Sequence, residues 1–112
     1  MRIISQDGTI DVPYNFFSLS VASGKYKDVE YACIYCHNIS APHGTKLAEY
    51  SSKEKALKAM KMLREQHEKI AFLKTMINTE KGASFVRGLS KTDFDKMTQN
   101  YFQFSKDNEV EV

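Results

Sequence analysis

From Phe17 onward the chain alternates, with Phe17, Leu19 and Val21 apolar and Ser18 and Ser20 polar. That period of two predicts a strand over residues 16–22 with one buried face. Residues 29–37, rich in Tyr, Val, Ile and Cys, predict another. Nearer the start, residues 2–6 and 9–12 flank Asp7-Gly8, a dipeptide that tolerates positive φ, and so predict a hairpin closed by a two-residue type I′ turn. Pro13 has no N–H for a ladder and ends the second arm or keeps it at an edge. Ser23-Gly24-Lys25 reads as the turn between the third and fourth strands, residues 38–44 with Pro42 as a loop, and residues 45–50 as a fifth strand. The first half is thus expected to be an antiparallel meander.

The period changes at Ser51, where Ser51 and Glu54 have the spacing of a capping box. Ala56, Leu57, Met60, Leu63, His67 and Ile70 then recur at steps of three and four, an apolar stripe on a helix whose remaining surface is mostly Lys, Arg and Glu. Ile70, Phe72, Leu73, Met76 and Ile77 either continue this helix or start a second one, and periodicity alone does not separate the two. Residues 78–82 end the element by turn chemistry. A short final helix is expected at 91–98, with Ser90 as N-cap and Asp93 at the third position. A closing strand follows at 101–104, then a frayed acidic tail at 106–112. The expected fold class is α+β. An antiparallel meander (residues 1–50) packs against one long amphipathic helix, followed by a short helix and a closing strand (51–112), all in one domain.

Composition adds exclusions. A formal charge of +2 over 112 residues is too small for a dedicated nucleic-acid binder and too positive for an acidic DNA mimic. Polar residues interrupt the N-terminus before an export signal can form, and no run approaches the roughly 20 apolar residues of a membrane span. The expectation is a cytoplasmic protein, with no membrane partner and its two cysteines as thiols.

Cys33-Ile34-Tyr35-Cys36-His37 matches the C-x-x-C-H pattern of haem attachment, and His43 nearby invites a zinc reading. On a strand, however, positions 33 and 36 point to opposite faces with Cα atoms about 10 Å apart. Neither a disulfide nor a shared metal spans that. The strand reading makes both cysteines packed residues and predicts no metal and no cofactor; in a loop, Cys33, Cys36, His37 and His43 would be a zinc set. There is no G-x-S-x-G, Walker phosphate loop or H-E-x-x-H, so an enzyme is not expected. His67, on the helical stripe, reads as a packed residue.

Residues 81–92 concentrate two glycines, a phenylalanine, three cations and a helix start. Ser90, at the N-terminus of the final helix, can receive a phosphate. Arg87 adds a bidentate grip, Lys91 a point charge, and Phe85 a stacking surface for a base. These four are the candidate ligand site. The competing reading is a capped surface helix with Phe85 and Val86 in the core.

Three blocks resemble a family of small proteins encoded by phages and prophages of Gram-positive gut bacteria: MRIISQDGTIDVPY at residues 1–14, EYSSKEKALKAMKMLR at 49–64 and FQFSKDNEVEV at 102–112. They cover roughly a third of the chain, and residues 15–44 fall outside them. The resemblance carries no catalytic motif and implies a context, action against bacterial immunity. Two routes follow from it: sequestering a cyclic nucleotide or ADP-ribose-type signal, or contacting a defence complex such as a CRISPR effector. A homo-oligomer is expected, because sheet edges and the aromatic segment 101–104 are hard to cover with so few helices.

Overall fold

Two three-stranded sheets share one long helix. The computed structural model describes residues 1–38, 41–97 and 99–112. Among them, β1 (Arg2–Ile4) lies between β2 (Asp11–Pro13), antiparallel to it, and β6 (Tyr101–Gln103), parallel to it. The second sheet is the antiparallel meander β3 (Ser18–Tyr26), β4 (Val29–Asn38) and β5 (Ala41–Tyr50). Helix α1 (Lys53–Ile77) packs on all three strands of this meander, and the short helices α2 (Glu80–Arg87) and α3 (Lys91–Met97) fold back against it. The α+β class expected from the sequence is the one adopted.

The first hairpin leaves the meander because Pro13 ends β2 and a 3-10 turn, Tyr14–Phe16, redirects the chain before β3. One buried cluster then joins both sheets to α1. Ile3 and Phe102 come from the first sheet, Phe104 from the residue just after β6, Ile34, Cys36 and Tyr50 from the second sheet, and Ala56, Ala59 and Leu63 from the helix. The two alanines let α1 approach the strands closely. Leu57, assigned to the stripe by spacing, is 48% exposed, so the buried face is centred on Ala56, Ala59 and Leu63.

Turn positions differ from the sequence reading. Only Gly8 of Asp7-Gly8 has positive φ, and the Ser5 N–H donates to the Ile10 carbonyl at 2.8 Å, so a four-residue loop replaces the two-residue turn. Asp7 organises that loop, its Oδ1 accepting from Ser5 Oγ at 2.7 Å, Thr9 Oγ1 at 2.7 Å and Thr9 N at 3.0 Å. The tight two-residue turn is instead Lys27-Asp28, with φ of 48° and 64°, while Ser23, Gly24 and Lys25 pair with Ala32, Tyr31 and Glu30. This register extends β3 to nine residues and sets Lys25 opposite Glu30. The predicted loop at 38–44 is largely strand with shifts in its pairing, and its residues 39 and 40 lie outside the described residues.

The N-cap of α1 is Ser52, whose Oγ accepts from Lys55 N at 3.2 Å; the Ser51 N–H donates to Asp107 Oδ1 at 2.7 Å. The helix runs unbroken to Ile77, which resolves the question of one helix or two. Thr79 then starts α2, accepting from Gly82 N at 3.0 Å, so the turn expected over residues 78–82 gives way to a helix already at Glu80, and residues 80–87 are helical. The acidic tail is docked: Val110 is buried, and Lys55 Nζ donates to the Asp107 carbonyl at 3.0 Å and pairs with its Oδ2 at 3.3 Å. The Asp107 carboxyl is held below its ordinary range, first by the Ser51 backbone N–H and then by Lys55. As expected, α3 begins after Ser90; position 98 lies outside the described residues.

A 25-residue helix is about 37 Å long, more than the sheets can cover. Its second half, with α2 and α3 folded back on it, forms a helical arm, and the protein measures 57 × 33 × 20 Å along its principal axes. The radius of gyration, 16.5 Å, compares with about 13 Å for a rounded domain of this size.

Candidate functional site

Strand periodicity divides the meander into two faces. Leu19, Val21, Ala32, Ile34, Cys36, Ala48 and Tyr50 turn toward α1. The alternate positions, Ser20, Tyr26, Tyr31, Cys33, Tyr35 and His37 among them, form the other face, which no helix covers among the described residues. Tyr26 is 69% exposed and Tyr31 40%, and Val29, paired with Tyr26, is 67% exposed. The result is a broad surface of tyrosine, serine and glycine with few charges.

Several contacts fix this surface. Gly24 has its Cα under the Tyr31 hydroxyl, where a Cβ would come within 2.9 Å of that oxygen. Lys27 Nζ lies 5.6 Å from the Tyr26 ring centroid, a cation–π distance. Cys33 is buried although it belongs to the uncovered face, because it is small and its larger neighbours stand around it; its Sγ donates to Glu49 Oε1 at 3.7 Å. Burial pushes the Cys33 thiol pKa up and the Glu49 carboxylate pushes it further, so the nucleophilic thiolate is disfavoured. Cys36, on the core face, is raised by burial alone among raising causes. The two cysteines stand on opposite faces of β4, as the strand reading requires, and both are free thiols.

One contact has the form of a nucleophile and base: Ser20 Oγ lies 2.6 Å from His37 Nε2, with His37 Nδ1 3.2 Å from the Pro42 carbonyl. The carbonyl requires a proton on Nδ1, which leaves Nε2 to accept from the serine hydroxyl. Gly44, at φ 81°, leaves room for this ring, since a Cβ there would collide with the imidazole. Acyl transfer needs free N–H donors aimed at an oxyanion beside the serine. Ser20 sits in the middle of a paired strand, opposite Tyr35, and its backbone amide serves the ladder. The contact therefore orients the hydroxyl and the ring on the face.

Beside the tyrosines, Val29, Glu30, Tyr31, Glu49, Tyr50, Ser51 and Asp107 line a depression of about 390 Å³. Glu30 Oε1 accepts from Lys53 N at 3.2 Å and Asp107 from Ser51 and Lys55, so the strand ends, the helix start and the tail are tied around it. Glu30 and Glu49, next to the Tyr31 ring, suit an incoming guanidinium or ammonium group, the Asp107 carboxylate being already paired with Lys55.

The four residues singled out by sequence lie on the helical arm. Phe85 is 49% exposed and Arg87, Ser90 and Lys91 are exposed. Phe85 and Arg87, two apart on α2, point in different directions. Arg87 Nε donates to the Ala83 carbonyl of its own helix at 3.3 Å, and Ser90 Oγ accepts from Asp93 N at 3.1 Å as the cap of α3. His67 stacks on Tyr14 at 4.2 Å between ring centroids. The tyrosine face carries no motif of its own in the sequence: the C-x-x-C-H pattern overlies it, and Tyr31, Cys33, Tyr35 and His37 are alternate positions of one strand. Comparison with protein-family models, curated proteins and solved structures finds no match to the chain.

Proposed function

We propose that this chain is a non-enzymatic binding module that docks on a protein partner through the open face of β3, β4 and β5. The observation that carries the reading is the uncovered pair Tyr26 and Tyr31 beside the acidic depression at Glu30 and Glu49. Tyrosine gives a large, rigid contact area at low entropic cost, and serine and glycine around it adapt to a partner. A broad face suits a protein, whereas small molecules are held in concavities that enclose most of their surface. The partner is expected to present a basic side chain to the depression and apolar groups to the tyrosines.

The three blocks of phage resemblance support a division of labour. They supply β1, β2, β6, the tail and the first half of α1, which pack on one another, while most of the face comes from residues outside them. A surface carried by a separately packed scaffold is free to specialise. Within the counter-defence context, the partner class is a bacterial defence complex such as a CRISPR effector. The test is interference: expression of the chain in cells with an active effector should restore acceptance of a targeted plasmid, and Tyr26→Ala/Tyr31→Ala should remove that effect without loss of fold. Restoration by the double variant at the wild-type level would reject the face.

A second reading, capture of a cyclic nucleotide or ADP-ribose-type signal by Phe85, Arg87, Ser90 and Lys91, is favoured by the exposed ring of Phe85. Calorimetric titration with a panel of such nucleotides tests it. Tight binding abolished by Arg87→Glu would move the site to the helical arm.

A further inference from the structure

We propose that two copies of this chain pair antiparallel through the outer edges of their β3 strands, about a two-fold axis at Ala22, to form one six-stranded sheet. Strand β3 is the end strand of its sheet and spans nine residues. The two-residue turn at Lys27-Asp28 makes Tyr26 and Val29 the closing hydrogen-bonded pair. By alternation, Ser18, Ser20, Ala22, Gly24 and Tyr26 turn their backbone groups toward β4, and Leu19, Val21, Ser23 and Lys25 turn theirs outward. Among the described residues, no backbone group outside β4 bonds to β3.

This edge carries few of the usual protections. It has no proline, its register with β4 runs unbroken over nine pairs, and its one charge is Lys25. Antiparallel pairing with a copy of itself has one register that engages all four outward residues, with Leu19 opposite Lys25 and Val21 opposite Ser23. Each copy then offers four N–H and four C=O groups, closing about eight hydrogen bonds.

Side chains agree with that register. Ala22 falls opposite Ala22 in a non-hydrogen-bonded pair, where Cα atoms approach to about 4.5 Å and a small residue fits. The two Lys25 residues are kept about 20 Å apart, so like charges do not meet. Leu19 and Val21, which pack on the core but are half-buried, gain a neighbour on their open flank. Phe16, 76% exposed just before the strand, meets the end of the partner strand at its turn. The contact is narrow beside the roughly 800 Å² per partner of a standard interface, so the dimer is reversible and concentration-dependent.

Sedimentation equilibrium of the full chain from micromolar to near-millimolar concentration tests this. The wild type should shift from monomer to dimer mass. Ala22→Lys and Ala22→Glu each place like charges at the axis and should stay monomeric with an unchanged circular dichroism spectrum, the substituted side chain being exposed. An equimolar mixture of the two should recover a heterodimer. A wild type that is monomeric throughout, a single variant that dimerises like the wild type, or a mixture that stays monomeric would each overturn the proposal.

Discussion

The side-chain amide of Gln6 occupies the place of a neighbouring strand beside Glu49: its Oε1 accepts from the Glu49 N–H at 3.0 Å and its Nε2 donates to the Glu49 carbonyl at 3.1 Å. The same Nε2 donates to the Ser105 carbonyl at 3.0 Å, and the Gln6 N–H donates to the Leu47 carbonyl at 2.8 Å. One residue thereby closes part of the β5 edge and ties the first loop, the second sheet and the tail together. Gln6→Ala should destabilise the protein by about 0.5–1.5 kcal/mol, because the bonds to Glu49 are exposed and water can replace them, while the part-buried Ser105 carbonyl loses a partner. Gln6→Glu keeps the acceptor and loses both donors, so its stability should recover as pH falls and the new carboxyl protonates. Urea unfolding of both variants at neutral and acidic pH checks this.

Acidification of the wild type should have the opposite effect. Hydrogen bonds from Thr9 and Ser5 hold the Asp7 carboxyl down at about 2, from an ordinary value of 3.8. A depressed folded-state pKa contributes stability above the unfolded value and loses it as pH falls through the folded one. The melting temperature should therefore drop between about pH 4 and pH 2, and Asp7→Asn should flatten that part of the curve. Asp107, also held low, contributes in the same direction, so the flattening is partial.

Gly82 is buried at the start of α2, and a Cβ there would overlap the Met76 carbonyl at the end of α1. Gly82→Ala must push the two helices apart, at about 1–3 kcal/mol for an overpacked site. Hydrogen exchange should show lost protection in residues 80–97 with the strands unchanged. Equal loss across the whole chain would mean that the arm and the sheets unfold together.

The burial pattern of β3 and β4 and the helix from Lys53 follow from periodicity, because each has one face in a common core. Turn positions were less legible: Asp7-Gly8 carries the tight-turn dipeptide, yet the carboxylate of Asp7 is engaged by Ser5 and Thr9, and the tight turn falls on Lys27-Asp28. The parallel pairing of β1 with β6 and the docking of the tail at Asp107 join residues 99 and 56 positions apart, respectively, a relation no local pattern encodes. The tyrosine face required knowing which side of the meander α1 covers.

Photo-cross-linking in bacterial cells that carry a CRISPR effector, the proposed partner, tests the binding face most directly. A benzoyl-phenylalanine replaces Tyr31 on the sheet face, or Phe72 or Phe85 on the helical arm, all three being exposed aromatic positions. A covalent adduct with a component of the effector is expected from position 31 and none from 72 or 85. Adducts from 72 or 85 with none from 31 would contradict the sheet face as the docking surface.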